Sequence, residues 1–295
     1  MEYLETWILM GYVEKLIQNW PLSGSSLDLL VSAERQLKDA RSSAFVDSRA
    51  WACQALLEFC ALKQFGFDTT DEPLQQLAKE AIQLGIDFYY GDWATEENII
   101  KWCKSQGWEA TDQRTTIEIS RCSTVSDPKT LKPWRDALSA LILLCTMFQE
   151  TESRAKICDW FGASPKPEYS GLYFETEATT IVLASFLRTK PMDGIEKLVA
   201  EIAKCKRPYA LARLKLIHAC FDGDQHVFGA LLPECLDLFY KSHKKKEPCI
   251  MTDLIAVDES TVVLLARDKG LVIPPLSEKQ TWALMSAESI GLGGN

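Results

Sequence analysis

The chain has 295 residues, 47% of them hydrophobic and 25% charged, the make-up of an ordinary globular protein. Its 32 Lys and Arg against 41 Asp and Glu give a formal charge of -9, which argues against a chain that coats nucleic acid or an anionic membrane, since both demand a positive face. Three His leave little room for imidazole-based metal or acid-base chemistry.

Taken in chain order, the pattern is helical almost throughout. The start, Met1-Glu2-Tyr3-Leu4-Glu5-Thr6, is acidic where a secretory signal needs cations, and the apolar run Trp7 to Val13 is too short to span a bilayer. A soluble, cytoplasmic chain is therefore expected. Helices are predicted from about Tyr3 to Asn19 and Ser26 to Ala40. Val46, Ala50, Cys53, Leu57, Cys60 and Ala61 then form one stripe, with Trp51, Ala52, Ala55, Leu56 and Phe59 around it. Apolar residues on every side mark a buried central helix. Further helices are predicted over Pro73 to Leu84 and Glu96 to Lys104. Thr115 to Cys122 alternates like a strand, so at most one short β-hairpin is expected near 115–122.

Asp127-Pro128 is a helix start, with a capping side chain followed by the residue whose missing N–H costs nothing there. The stripe Trp134, Ala137, Leu138, Leu141, Leu144, Cys145 and Phe148 follows. Later helices are predicted over Ser153 to Phe161, Thr176 to Arg188, Gly194 to Cys205, Pro208 to Phe221, Gln225 to Lys241, Glu259 to Lys269 and Ser277 to Ser289. Their separators, such as Lys190-Pro191, Asp222-Gly223-Asp224 and Pro274-Pro275, carry turn chemistry. The expected fold is all-α, about a dozen helices packed as hairpins in a single domain, residues 1–295. Two lobes, 1–161 and 172–295 joined by the Pro/Ser/Gly-rich segment 162–171, are an open alternative. A degenerate helical-repeat array is another.

Catalytic constellations are missing. There is no phosphate-cradling G-x-x-x-x-G-K-[ST] loop, no H-E-x-x-H and no G-x-S-x-G elbow. None of the ten cysteines is paired as C-x-x-C, and five lie inside apolar helical patterns, so they read as reduced core thiols. Asp222-x-Asp224 beside His226 is a turn, because an EF-hand loop would end on Glu where Pro233 stands. Lys241 to Lys246 reads as a solvated helix end. The chain is read as non-catalytic, with no metal and no cofactor.

The charge is unevenly spread. Residues 1–150 hold 22 acidic and 14 basic side chains, while residues 151–295 hold 19 and 18. Between Phe65 and Ile100 there are eight carboxylates and one base, Lys79, together with six aromatics. Carboxylates around Tyr and Trp suit a basic protein partner: the aromatics anchor and the acids steer. The candidate partner-binding residues are Asp68, Asp71, Asp87, Tyr89, Tyr90, Asp92, Trp93, Glu96 and Glu97. Dipole complementation in first helical turns is the competing use of Asp71, Glu72, Glu96 and Glu97, and a place in the core is the competing use of Phe88, Tyr89 and Trp93.

The stretch Asp253 to Leu271, with its Leu264-Leu265-Ala266-Arg267 run ending at Gly270-Leu271 before Pro274-Pro275, resembles the end of the immunity protein 49 family of bacterial polymorphic-toxin systems. The early helix Arg49-Ala50-Trp51-Ala52-Cys53-Gln54-Ala55-Leu56 sits where that family carries an Ala-rich central helix. The resemblance implies an all-α cytosolic inhibitor that binds and neutralises a cognate toxin protein. Many such toxins are nucleases and hence basic. It transfers no catalytic residue and implies no direct nucleic-acid or membrane contact. A helical-repeat interaction scaffold and an all-α enzyme using carboxylates are the competing readings.

Overall fold

A computed structural model of the chain describes residues 26–42, 46–67, 69–90, 96–105, 107–109, 111–117, 135–161, 174–243 and 255–292. The predicted helix Tyr3–Asn19, the start signal Asp127-Pro128, the segment 162–171, Cys122 and Cys249 lie outside the described residues. Among the described residues twelve α-helices run in order: α1 (Ser26–Ser42), α2 (Val46–Gln64), α3 (Leu74–Tyr90), α4 (Glu96–Ser105), α5 (Arg135–Met147), α6 (Thr151–Phe161), α7 (Phe174–Leu187), α8 (Ile195–Ala203), α9 (Pro208–Asp222), α10 (Gln225–His243), α11 (Val257–Asp268) and α12 (Glu278–Trp282). A 3-10 turn, Glu288–Ile290, follows. The described part of the fold is all-α, without a strand.

Helix α2 is the axis of a first hydrophobic core. From Ala52 to Leu62 every residue is buried, whichever way it points, and α1, α3, α5 and the 3-10 turn surround it. Only toward its N-terminal end does a large apolar side chain, Trp51, reach solvent. Helix α3 presents the stripe Leu74, Leu77, Ala78, Ala81, Ile82, Gly85, Ile86 and Tyr89, the three-and-four spacing of one helical face. Gly85 sets how closely α3 approaches α2. A Cβ there would lie 2.6 Å from Cys53 Sγ and 3.3 Å from both terminal carbons of Leu141. Cys53 Sγ in turn donates to the Ala81 carbonyl at 3.2 Å.

The second core is built from α7 to α11, with Phe228, Leu232, Leu236 and Phe239 of α10 packed with Leu216, Ile217 and Cys220 of α9. These two helices form a hairpin closed by the turn Gly223-Asp224. Gly223 takes the left-handed conformation (φ 72°) that ends α9, and Asp224 Oδ1 accepts from Val227 N at 3.0 Å to open α10. The Asp-Gly-Asp motif is thus capping chemistry. Gly270, at φ 78°, ends α11 in the same way.

Helix α11 joins the two cores. Val257 belongs to the first, whereas Val262, Val263, Leu265 and Ala266 belong to the second. The chain then returns across both. Ala283 enters the second core, and Met285 and Ile290 enter the first. Ser289 Oγ stands 2.8 Å from Gln64 Oε1, a contact across 225 residues. Each unit of a linear repeat array touches its neighbours alone, so this return makes the fold closed instead.

Two predicted elements differ from the structure. Residues 113–117 are a helical turn rather than a strand: Thr116 N donates to Asp112 O at 3.1 Å, and Thr115 Oγ1 to Glu109 O at 2.8 Å. Ile117 is 54% exposed, and the rest of the predicted element, residues 118–122 with Ile119, lies outside the described residues. The helix predicted over 277–289 stops at Trp282. Gln64 Nε2 captures the carbonyls of Trp282 and Leu284, both at 3.0 Å, and Ser260 Oγ accepts from Met285 N at 2.9 Å. Those tertiary bonds displace the helical ladder.

Candidate functional site

The acidic stretch is built on α3 and the start of α4. Its residues meet different fates. Tyr89 is not a surface anchor: it is 1% exposed, edge-on to Phe88 at 4.9 Å and 5.0 Å from the Trp160 ring. It lies on the buried stripe of α3, and the helical period places it there. Tyr90, one residue on, is half-buried. Its hydroxyl donates to the Lys156 carbonyl at 2.8 Å, and Lys156 Nζ lies 4.6 Å above its ring. Asp71 and Glu97 are exposed. Asp68, Asp92 and Trp93 lie outside the described residues, and of Glu96 the structure describes the backbone in α4 without the side chain.

Several of these acids are already engaged within the chain. Asp87 accepts from Arg49 Nη1 at 3.2 Å and from Gln83 Nε2 at 2.7 Å. Glu72 takes a two-pronged bond from Arg41, at 3.0 and 2.8 Å, and Glu80 takes another, at 2.8 and 2.7 Å. The hydrogen bonds from Glu72 and Glu80 hold the Arg41 guanidinium above its ordinary range, and Arg41 holds the Glu72 carboxyl below its own. Cations from α1 and α2 therefore answer part of the segment's negative charge. They are invisible in a window from 65 to 100 because they precede it.

The densest polar cluster of the described residues is elsewhere. Arg213 of α9 reaches into the first turn of α11. Nη1 donates to Asp258 Oδ2 at 2.8 Å, and Nε donates to Glu259 Oε1 at 2.9 Å. Nη1 also reaches Thr179 Oγ1 at 3.4 Å, and Nη2 donates to the Tyr209 hydroxyl, over whose ring the guanidinium carbon sits at 4.4 Å. Thr180 donates to Asp258 Oδ2 at 2.8 Å and lies 3.3 Å from Ser139 Oγ of α5. The Cys235 thiol of α10 donates to Glu259 Oε1 at 3.3 Å. Five helices, α5, α7, α9, α10 and α11, thus meet at one ion cluster.

Burial defines what this cluster can do. The side chains of Arg213, Asp258 and Glu259 are 8%, 5% and 0% exposed. Burial works against the charge of Arg213, but Glu259, Tyr209 and Asp258 outweigh it and keep the guanidinium charged. Burial pushes the Tyr209 hydroxyl far up as well. No substrate reaches carboxylates sealed to this degree, so the arrangement is a joint between helices. Its residues were legible in part. Tyr209, Arg213, Leu216, Ile217 and Cys220 share one helical stripe, which places Arg213 on the apolar face. Asp258 and Glu259 look like ordinary first-turn acids, and nothing local says that this helix start is interior.

One further buried carboxyl stands in the first core. Glu58 of α2 is 3% exposed, and its one hydrogen bond is from Gln54 Nε2 at 3.4 Å. Burial pushes it up to about 7, with Gln54 pulling slightly the other way. The described thiols are free, and burial pushes Cys53, Cys60 and Cys158 up to about 12, so at neutral pH they are unreactive. Among the described residues no three His, Cys, Asp or Glu side chains are placed to hold a metal ion, and no helix is long and apolar enough to cross a membrane. No family model matches the chain, and comparison with curated proteins and with solved structures gives no match either.

Proposed function

We propose that the chain is a non-catalytic, immunity-type protein that binds a cognate basic toxin domain, nuclease-like in charge, in the cytoplasm and neutralises it. The observation that carries this reading is the placement of charge. The cluster rich enough for chemistry is sealed between five helices, whereas Asp71 and Glu97 of the acidic segment face solvent. Exposed carboxylates on a rigid helical body act on a partner, not on a substrate. They raise the rate of encounter with a cationic surface and pair with its Lys and Arg.

The docking surface is the exposed side of the acidic stretch, with Asp71, Glu97 and the half-buried Tyr90 as its described contributors. Tyr89 leaves the anchor set, since it is part of the core. The resemblance of Asp253–Leu271 to the immunity protein 49 family supports the same class of function. That stretch contains Asp258 and Glu259, so in this chain its role is to hold the helices together.

The test is co-expression with the toxin domain encoded beside the chain's own gene. Protection of growth, and a complex that survives a sizing column, are expected. Full toxicity together with no complex would refute the proposal. Substituting Asp71→Asn and Glu97→Gln is expected to slow association and flatten its dependence on salt.

A further inference from the structure

We draw no further inference here: the strongest candidate, the aromatic surface patch where Phe186 of α7 stacks on Phe221 of α9 at 4.4 Å with His218 edge-on at 5.3 Å, carries nothing, because nothing in the structure shows what covers it.

Discussion

The first core holds Glu58 with Gln54 as its hydrogen-bond donor, whereas the second folds Asp258 and Glu259 around Arg213. Both places are equally dry, so solvent does not separate them. The supply of donors does. Three nitrogens of Arg213, the Thr180 hydroxyl and the Cys235 thiol converge on the two carboxylates of the second cluster, and its guanidinium keeps its charge despite burial. Glu58 receives one long bond, and its carboxyl rises to about 7. Buried carboxylates bonded to a cation fix how helices meet, even with Asp258 Oδ1 left without a partner. A buried acid left without a cation makes stability depend on pH.

Breaking the second cluster is expected to have the largest effect. Arg213→Met leaves two carboxylates buried without their cation and should cost about 3–5 kcal/mol in denaturant unfolding. Replacing the three groups together, with Arg213→Met, Asp258→Leu and Glu259→Leu, should cost far less, because no charge is then stranded. If the single change were the milder one, the cluster would not be the joint described here.

Glu58 gives the opposite sign. Its folded-state value, about 7, lies above the unfolded 4.5. The stabilising contribution of the protonated form is therefore complete below about pH 4.5 and is lost as pH rises toward 7 and beyond. Glu58→Gln should match the parent near pH 4 and exceed it by about 3 kcal/mol above pH 7. Urea titrations at the two pH values check this, and a constant difference would contradict it.

Packing in the first core yields a smaller effect. Gly85→Ala places a Cβ 2.6 Å from Cys53 Sγ, within the buried body of α2. A loss of about 1–3 kcal/mol is expected, and adding Cys53→Ala should recover part of it by clearing the clash. Equal losses in the single and double variants would place the strain elsewhere. Least is expected of Arg41→Met. Its two ion pairs with Glu72 and Glu80 are substantially exposed, so thermal unfolding should register below about 1 kcal/mol.

The same contrast explains what could be read from the sequence. Helical period and turn residues placed the central helix, the hairpin about Gly223 and the end of α11 at Gly270, because those features are local. The carboxylates of the acidic stretch were legible as a count. Which of them remain open was not, since Arg41 and Arg49 come from earlier helices. Composition leaves Tyr89 open between anchor and core, whereas its place with Ile82 and Ile86 on one helical face puts it in the core. Residues 283–289 read as helix in sequence because Gln64 lies more than 200 residues upstream of the carbonyls that it grips. The Arg213 cluster joins positions 45 and 46 residues apart, and no window along the chain brings them together.

On the proposed function, the sealed ion cluster holds the helices together and the exposed carboxylates meet the partner. Growth rescue during co-expression with a toxin domain encoded beside the chain's own gene tests that division directly, using two variants that each retain the parent's helical circular dichroism. The variant with Arg213→Met, Asp258→Leu and Glu259→Leu should still protect the cell. The variant with Asp71→Lys and Glu97→Lys should protect it poorly. Protection lost in the first, or kept in full by the second, would contradict the account.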